Sequence, residues 1–115
     1  MEDLKFGTKR FALRIVKLYV ALPKTTEAQI LGKQLLRSGT SVGAHYREET
    51  RARSTAEFVS KLGGAQQELE ETAYWLELLG DSEIVKATKL EELLNEPDEL
   101  GKILTTCIKN AKNNK

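Results

Sequence analysis

Residues 58–79 carry the feature that most constrains the fold, because an apolar or small side chain recurs every three or four positions over more than three heptads. This period predicts a long amphipathic α-helix whose apolar face forms the seam of a helical bundle or coiled coil. Ser54 and Glu57 form a capping box before the seam, and Gly80 follows it, so we predict a helix that starts at Ser54 and stops at Gly80. The seam positions are Phe58, Leu62, Ala65, Leu69, Thr72 or Ala73, Leu76 and Leu79.

Two amphipathic segments precede this helix and supply partners for its seam. The first is predicted to span about Thr8 to Leu22, because Pro23 cannot continue the backbone hydrogen bonds of a helix. The second is predicted to begin with a capping box of Thr26 and Gln29. Small residues interrupt its apolar stripe, and we expect them to let a neighbouring helix approach closely, with a loop as the weaker alternative. These residues are Gly32, Ser38, Gly39, Ser41, Gly43 and Ala44.

A fourth amphipathic segment follows Thr88, and Pro97 lies inside it. Proline removes a backbone donor and crowds the preceding turn, so the last helix is predicted to be bent or split near Pro97. Four helices with short links, in a chain of 115 residues rich in Ala, Leu, Glu and Lys, predict an all-α fold. The expected architecture is an antiparallel up-and-down four-helix bundle that forms a single domain over residues 1–115.

Charge is strongly segregated along the chain although the formal net charge is only +1. Counting Lys and Arg against Asp and Glu gives +4 for residues 1–24, +2 for 25–53, −9 for 54–101 and +4 for 102–115. Two interpretations remain open. The basic helices can complement the acidic ones inside the bundle, or their free faces can attract phosphate groups.

The first helix has an apolar arc that covers roughly half of its circumference, which is wider than one core contact requires. We therefore predict that one flank packs in its own bundle and the other on a second subunit, since an exposed apolar strip would otherwise contact water. The core series is Phe11, Ile15, Leu18 and Leu22, and the arc is extended by Ala12, Val16, Tyr19 and Val20.

Basic side chains form two candidate phosphate-binding groups. Arg10, Arg14 and Lys17 lie on one face of the first helix, with no acidic residue interleaved. A second group stands at the junction between the second and third helices, where nearby glutamates at 48, 49 and 57 offer an alternative as ion-pair partners. The predicted nucleic-acid-binding residues are Arg10, Arg14, Lys17, Arg47, Arg51 and Arg53.

The usual constellations for catalysis or cofactor binding are not found in the sequence. His45 is the only histidine, so a Ser-His-Asp triad could form only around it, at a helix end among small and polar residues. No glutamate stands three residues before it, which argues against a diiron bundle. Neither GxGxxG nor GxxxxGK[ST] is present. We expect a surface or capping role for His45, a packing role for Trp75, and no enzymatic activity, cofactor, metal or small-molecule substrate.

Cys107 is the only cysteine, so a disulfide within the chain is impossible, and its position on the apolar stripe of the last helix predicts a buried packing role. The sequence contains no run of eighteen apolar residues and no charged start followed by an apolar stretch. The expected location is the cytoplasm, with no membrane partner.

The segment SVGAHYREETRARSTAEFVSKLGGAQQELEETAYWLELL resembles the bacterial four-helix bundle proteins encoded in intervening sequences of large-subunit ribosomal RNA genes, the S23 family. The resemblance implies an antiparallel bundle that assembles as a ring, commonly a pentamer, in a family without an established catalytic activity. The accessory protein of diversity-generating retroelements, which works with a reverse transcriptase and its RNA, is similar in fold. Fold resemblance alone does not carry that function over.

Two function hypotheses follow. The first is a non-enzymatic homo-oligomer, expected to be a pentameric ring, that binds RNA or a ribonucleoprotein through repeated basic surfaces. The alternative is a protein–protein interaction scaffold without direct nucleic-acid binding, in which the same charges only complement acidic helices or an acidic partner.

Overall fold

The structure, a computed structural model, describes the backbone of residues 2–49 and 51–113, with side chains from residue 4 onward. Its four helices are α1 (Glu2–Ala21), α2 (Thr26–Glu49), α3 (Thr55–Asp81) and α4 (Ala87–Asn113). All regular structure in these residues is helical, which confirms the predicted all-α class.

The helices run alternately up and down and form an elongated bundle with extents of 49 × 21 × 20 Å. Each helix packs on the next one in the chain, and α4 returns alongside α1, while α1 and α3, like α2 and α4, lie diagonally opposite without close backbone approach in the described residues. The α1–α4 pair is the most loosely packed of the four neighbours. This arrangement confirms the predicted antiparallel four-helix bundle.

The core is built from one apolar stripe of each helix, as an amphipathic pattern requires. The predicted seam of α3 is confirmed, since its leucines at 62, 69, 76 and 79 are buried. Between α2 and α3, the Ser38 and Thr72 hydroxyl oxygens are 2.8 Å apart in a buried hydrogen bond, which satisfies two polar groups inside the apolar core. The largest fully buried side chains include Phe11, Ile15, Leu35, Leu62, Leu76, Leu79 and Leu104.

Three glycines of α2 bring that helix unusually close to α1. A Cβ added at Gly32 would lie 2.5 Å from the Leu22 side chain, and one at Gly39 would lie 2.9 Å from that of Ile15. At Gly43 the closest atom would be a hydroxyl of α1 at 3.2 Å. The small residues of α2 are therefore helical and allow close packing, as predicted, instead of forming a loop.

The helix caps agree with the sequence at one predicted site and differ at another. The Glu57 amide donates to Ser54 Oγ at 3.1 Å, which confirms the cap of α3. The cap of α2 is Thr25, whose Oγ1 accepts from the Ala28 amide at 3.3 Å. The prediction of Thr26 as the capping residue is therefore wrong by one position, because two adjacent threonines compete for that role.

The end of α3 also differs from the prediction of a stop at Gly80. The helix continues to Asp81, and the left-handed residue of the following turn is Glu83, with φ 62°. Gly80 keeps helical geometry, and a Cβ there would clash with the Leu90 side chain of α4. The small size of Gly80 allows α3 to pack closely on α4. The prediction had instead used this glycine as the residue that ends the helix.

The first and last helices are both longer than predicted. α1 begins at Glu2, six residues before the predicted start at Thr8, and the buried Thr8 hydroxyl donates to the Leu4 carbonyl at 2.7 Å inside the helix. α4 passes through Pro97 as one helix, so the split that the sequence allowed does not occur.

A pair of alanine substitutions tests the close approach of α1 and α2. Gly39→Ala and Gly63→Ala both replace a helical glycine, which alone stabilises by roughly 1 kcal/mol. A Cβ at residue 63 meets nothing within 4 Å, whereas at residue 39 it meets the fully buried Ile15. We expect Gly63→Ala to be more stable than Gly39→Ala by about 1–3 kcal/mol in urea unfolding. Equal stabilities would contradict the packing role of Gly39.

Candidate nucleic-acid interface

The six predicted phosphate-binding residues lie in separate places on the bundle. Arg10, Arg14 and Lys17 follow α1, whereas the three junction arginines divide between two clefts at the end of the bundle where α2 joins α3. A single basic surface is therefore not formed within one chain.

Arg10 and Arg14 face α4 and pair with its carboxylates. Arg14 bonds Glu96 directly and lies 3.5 Å from Glu92, while Arg10 lies 3.6 Å from Glu96. The Glu96 side chain is only 11% exposed, against 79% for Glu92. Complementarity within the bundle, the simpler of the two interpretations of the charge pattern, thus describes both arginines. The sequence left this interpretation open and could not identify the two glutamates as partners, because they come from another helix.

Lys17 points away from the core on the outer face of α1 and makes no ion pair with any described residue. The same face exposes large apolar side chains, with Leu13 58% and Val20 68% exposed. Val16 is also exposed, which agrees with the wide apolar arc predicted for this helix. The outer face of α1 is defined here as Lys9, Leu13, Val16, Lys17 and Val20.

Lys5, Arg47 and Arg51 line one cleft of about 390 Å³, together with Tyr46 and Glu48. The cleft lies between the start of α1 and the end of α2, and its three cations are exposed. Lys5 was not among the predicted site residues, because the sequence reasoning began the first helix at residue 8. We call Lys5, Arg47 and Arg51 the basic cleft.

Glu48 is the acidic side chain of this cleft, but it also has partners elsewhere. Its carboxylate lies 3.4 Å from Lys61 Nζ on α3 and 3.4 Å from His45 Nδ1 on its own helix. Lys5 and Arg51 make no ion pair with the described carboxylates. The positive potential of the cleft is therefore not cancelled by the glutamate beside it.

Arg53 lines a different cleft, of about 500 Å³, between the start of α3 and the end of α4. Glu49 and Ala111 line the same cleft. Burial raises the pKa of the Glu49 carboxyl above its ordinary value. The structure thus separates Arg53 from Arg47 and Arg51, because α2 ends at Glu49 and the chain turns before α3 begins.

His45 lies half-buried between α2 and α3, which replaces the expected surface or capping role. Its Nε2 is 3.8 Å from Glu68 Oε2, and a Cβ on Gly64 would lie 3.0 Å from the imidazole, so the glycine makes room for the ring. Glu68 also lies 3.3 Å from Arg37 of α2. The histidine lies beside the Arg37–Glu68 ion pair that joins the two helices.

Trp75 extends the same network. Its indole N–H donates to Glu71 Oε2 at 3.0 Å, and Arg37 bonds the same carboxylate. The side chain is partly buried and packs against the core, as the sequence predicted. The acidic residues of α3 that face α2 are therefore already paired within the chain.

Cys107 packs against the core, and burial raises the pKa of its thiol above the ordinary value, with the nearby Glu49 carboxylate adding to the shift. Such a thiol is a poor nucleophile at neutral pH. In the described part of the chain, no group of three or more His, Cys, Asp or Glu side chains is arranged to hold a metal ion. Within the same residues, no helix is both long and apolar enough to cross a membrane.

These features define a four-helix bundle with a basic cleft at one end, an apolar outer helix face and no assembled catalytic constellation in the described residues. Residues 7–106 match the family model described as 23S rRNA-intervening sequence protein. The chain belongs to this family. It is 42% identical to a protein of unknown function from the S23 ribosomal protein family of Bacteroides thetaiotaomicron VPI-5482, whose crystal structure superposes with a TM-score of 0.87 over 92% of this chain and 98% of that one. No curated protein matches the sequence significantly.

The pairing of Arg14 with two glutamates gives a matched test. Glu96→Ala is expected to lower the free energy of unfolding by about 1–3 kcal/mol, because it leaves a partly buried guanidinium without its closest carboxylate. Glu92→Ala removes an exposed partner of the same arginine and is expected to change stability by less than about 0.5 kcal/mol. Urea unfolding of both variants measures the difference. If the two effects were equal, Glu96 would have no structural role in the α1–α4 contact.

Proposed function

We propose that this protein is a non-enzymatic homo-oligomer, assembled as a pentameric ring, that binds RNA or a ribonucleoprotein partner in the cytoplasm. The observation that carries the RNA-binding part is the basic cleft, in which Lys5 and Arg51 are exposed beside Arg47 without an ion-pair partner of their own among the described carboxylates. Exposed lysine and arginine are the groups that contact RNA phosphates. Membership of a family named for a 23S rRNA intervening sequence supports RNA as the ligand class.

The basic cleft is favoured over Arg10 and Arg14 because of the difference in their surroundings. A phosphate that approached Arg14 would compete with Glu96, which holds the guanidinium from a nearly buried position. Lys5 and Arg51 of the cleft offer their charge without that competition, so phosphate binding to them requires less rearrangement. Arg10 and Arg14 would then contribute only long-range attraction.

Assembly would multiply the effect of a small site. One cleft with three cations gives weak, salt-sensitive binding, but several copies on one ring raise the effective concentration for a long RNA. The apolar outer face of α1 supports assembly, because exposed apolar strips of this kind are typical of protein contacts.

A scaffold without RNA binding is the second candidate, and one observation favours it. The cleanest basic stripe in the sequence is used by the fold itself, through the contacts of Arg10 and Arg14 with Glu96. If the remaining cations act the same way between subunits, no phosphate site is left. The two candidate functions therefore differ in whether the basic cleft binds phosphate or contacts another subunit.

Salt-dependent RNA binding distinguishes them. Lys5→Gln with Arg51→Gln is expected to weaken binding of a short hairpin RNA and to reduce the slope of log K against log salt by about 1.4–1.8, the value for two lost phosphate contacts. Fluorescence anisotropy across a salt series measures both quantities.

The matched control removes the same charge from exposed lysines at the opposite end of the bundle, through Lys86→Gln with Lys89→Gln. It is expected to retain most of the affinity and the full slope. Equal losses of affinity in the two double variants would show that only net charge matters, which contradicts a specific role of the cleft. A wild-type protein without RNA affinity would favour the scaffold function.

Arg10→Gln with Arg14→Gln is expected to change stability more than RNA affinity.

A further inference from the structure

The outer faces of α1 and α3 point to opposite sides of the molecule. These two helices are diagonal partners in the bundle, so the side of each that is turned away from the core is also turned away from the other helix. Two distinct surfaces are therefore available on opposite flanks of one chain.

The outer face of α1 combines apolar and basic side chains. Leu13, Val16 and Val20 are exposed there, and Lys9 and Lys17 stand beside them at helical spacing. Neither lysine makes an ion pair with a described residue of the chain. A surface of this kind fits a partner that is partly apolar and negatively charged.

The outer face of α3 has the complementary character. Tyr74 is its exposed aromatic residue, and Glu70, Glu77 and Asp81 surround it at spacings of three and four. None of these three acids forms an ion pair within the described residues, unlike the glutamates of α3 that face α2. We define the outer face of α3 as Glu70, Tyr74, Glu77 and Asp81.

We propose that the outer face of α1 in one copy docks on the outer face of α3 in the next copy. Apolar side chains of α1 would cover the ring of Tyr74, and Lys9 and Lys17 would meet the unpaired carboxylates. The inference rests on the homo-oligomer of the proposed function and names the two surfaces that form it. It also assigns Lys17, predicted as a phosphate ligand, to a contact between subunits.

The geometry of such a contact decides the kind of assembly. A face that meets a different face leaves one of each unused at every step, so the assembly closes as a ring if each contact turns the next copy by a fixed fraction of a circle, and grows as an open filament if it does not. A contact of α1 with α1 would instead stop at a dimer. Because the two faces lie on opposite flanks of the chain, a closed ring requires that each contact be tilted, whereas an untilted contact gives a filament. A closed ring gives every subunit the same environment.

Charge reversal of each face provides the test. Lys9→Glu with Lys17→Glu changes only the α1 face, and Glu70→Lys with Glu77→Lys changes only the α3 face. Each double variant is expected to lose the oligomer in light scattering after size exclusion, because like charges then oppose each other. The chain that carries all four changes is expected to recover the wild-type mass, since the opposite charges face each other again in reversed order.

Two further variants complete the design. Leu13→Glu introduces a charge among the exposed apolar residues of the α1 face and is expected to dissociate the oligomer. Ile30→Glu, at an equally exposed apolar residue on the outer side of α2, is expected to leave it intact. Circular dichroism of each variant verifies the helical fold.

The proposal is overturned if the Glu70→Lys with Glu77→Lys variant keeps the wild-type mass, or if the folded fourfold variant stays dissociated. A monomeric wild-type protein overturns it as well. RNA affinity measured on the same samples separates this result from the proposed function. A ring that does not bind RNA supports the docking proposal and contradicts RNA binding. A dissociated variant that still binds RNA, and loses that binding when the cleft residues are also substituted, supports RNA recognition by the cleft.

Discussion

The close approach of α1 to α2 is the constraint on which the remaining surfaces depend. Gly32, Gly39 and Gly43 leave no side chain between the two helices, so Ile15 and Leu22 pack against the backbone of α2. This contact fixes how α1 is rotated about its own axis. Once that rotation is set, Arg10 and Arg14 must face α4, and Leu13 and Val20 must face solvent. The glycines of one helix thus decide which residues of its neighbour are available for binding.

The loosely packed contact between α1 and α4 explains why two arginines serve the fold. Where helices approach less closely, long side chains can bridge the gap, and Arg14 does so with Glu96. Glu96 is nearly buried, so the arginine also satisfies a carboxylate that would otherwise lie desolvated at the helix surface. The same basic residues, on a helix without an acidic neighbour, would have been the better phosphate ligands.

Local signals in the sequence were sufficient for much of the fold. The seam of α3 and the Ser54 cap follow from spacing and from one side-chain-to-backbone bond, and both are confirmed. Gly80 was misinterpreted because a glycine can serve either backbone freedom or close packing, and only the position of Leu90 decides between them. The partners of Arg14 were out of reach for a similar reason, since Glu96 lies 82 residues away in the chain.

The segregated charges of the chain fall into those that pair within the bundle and those that remain exposed. Part of the acidic excess of residues 54–101 is neutralised inside the bundle, by Arg14 on one side and Arg37 on the other. The acids without an ion pair include the three on the outer face of α3, and the cations without one include Lys9 and Lys17 on the outer face of α1 and Lys5 and Arg51 in the basic cleft. Docking of unlike faces would set the two lysines of the α1 face against the three acids of the α3 face at every subunit contact. The basic cleft would then be repeated once in every subunit, so assembly itself would strengthen the attraction of the protein for a polyanion.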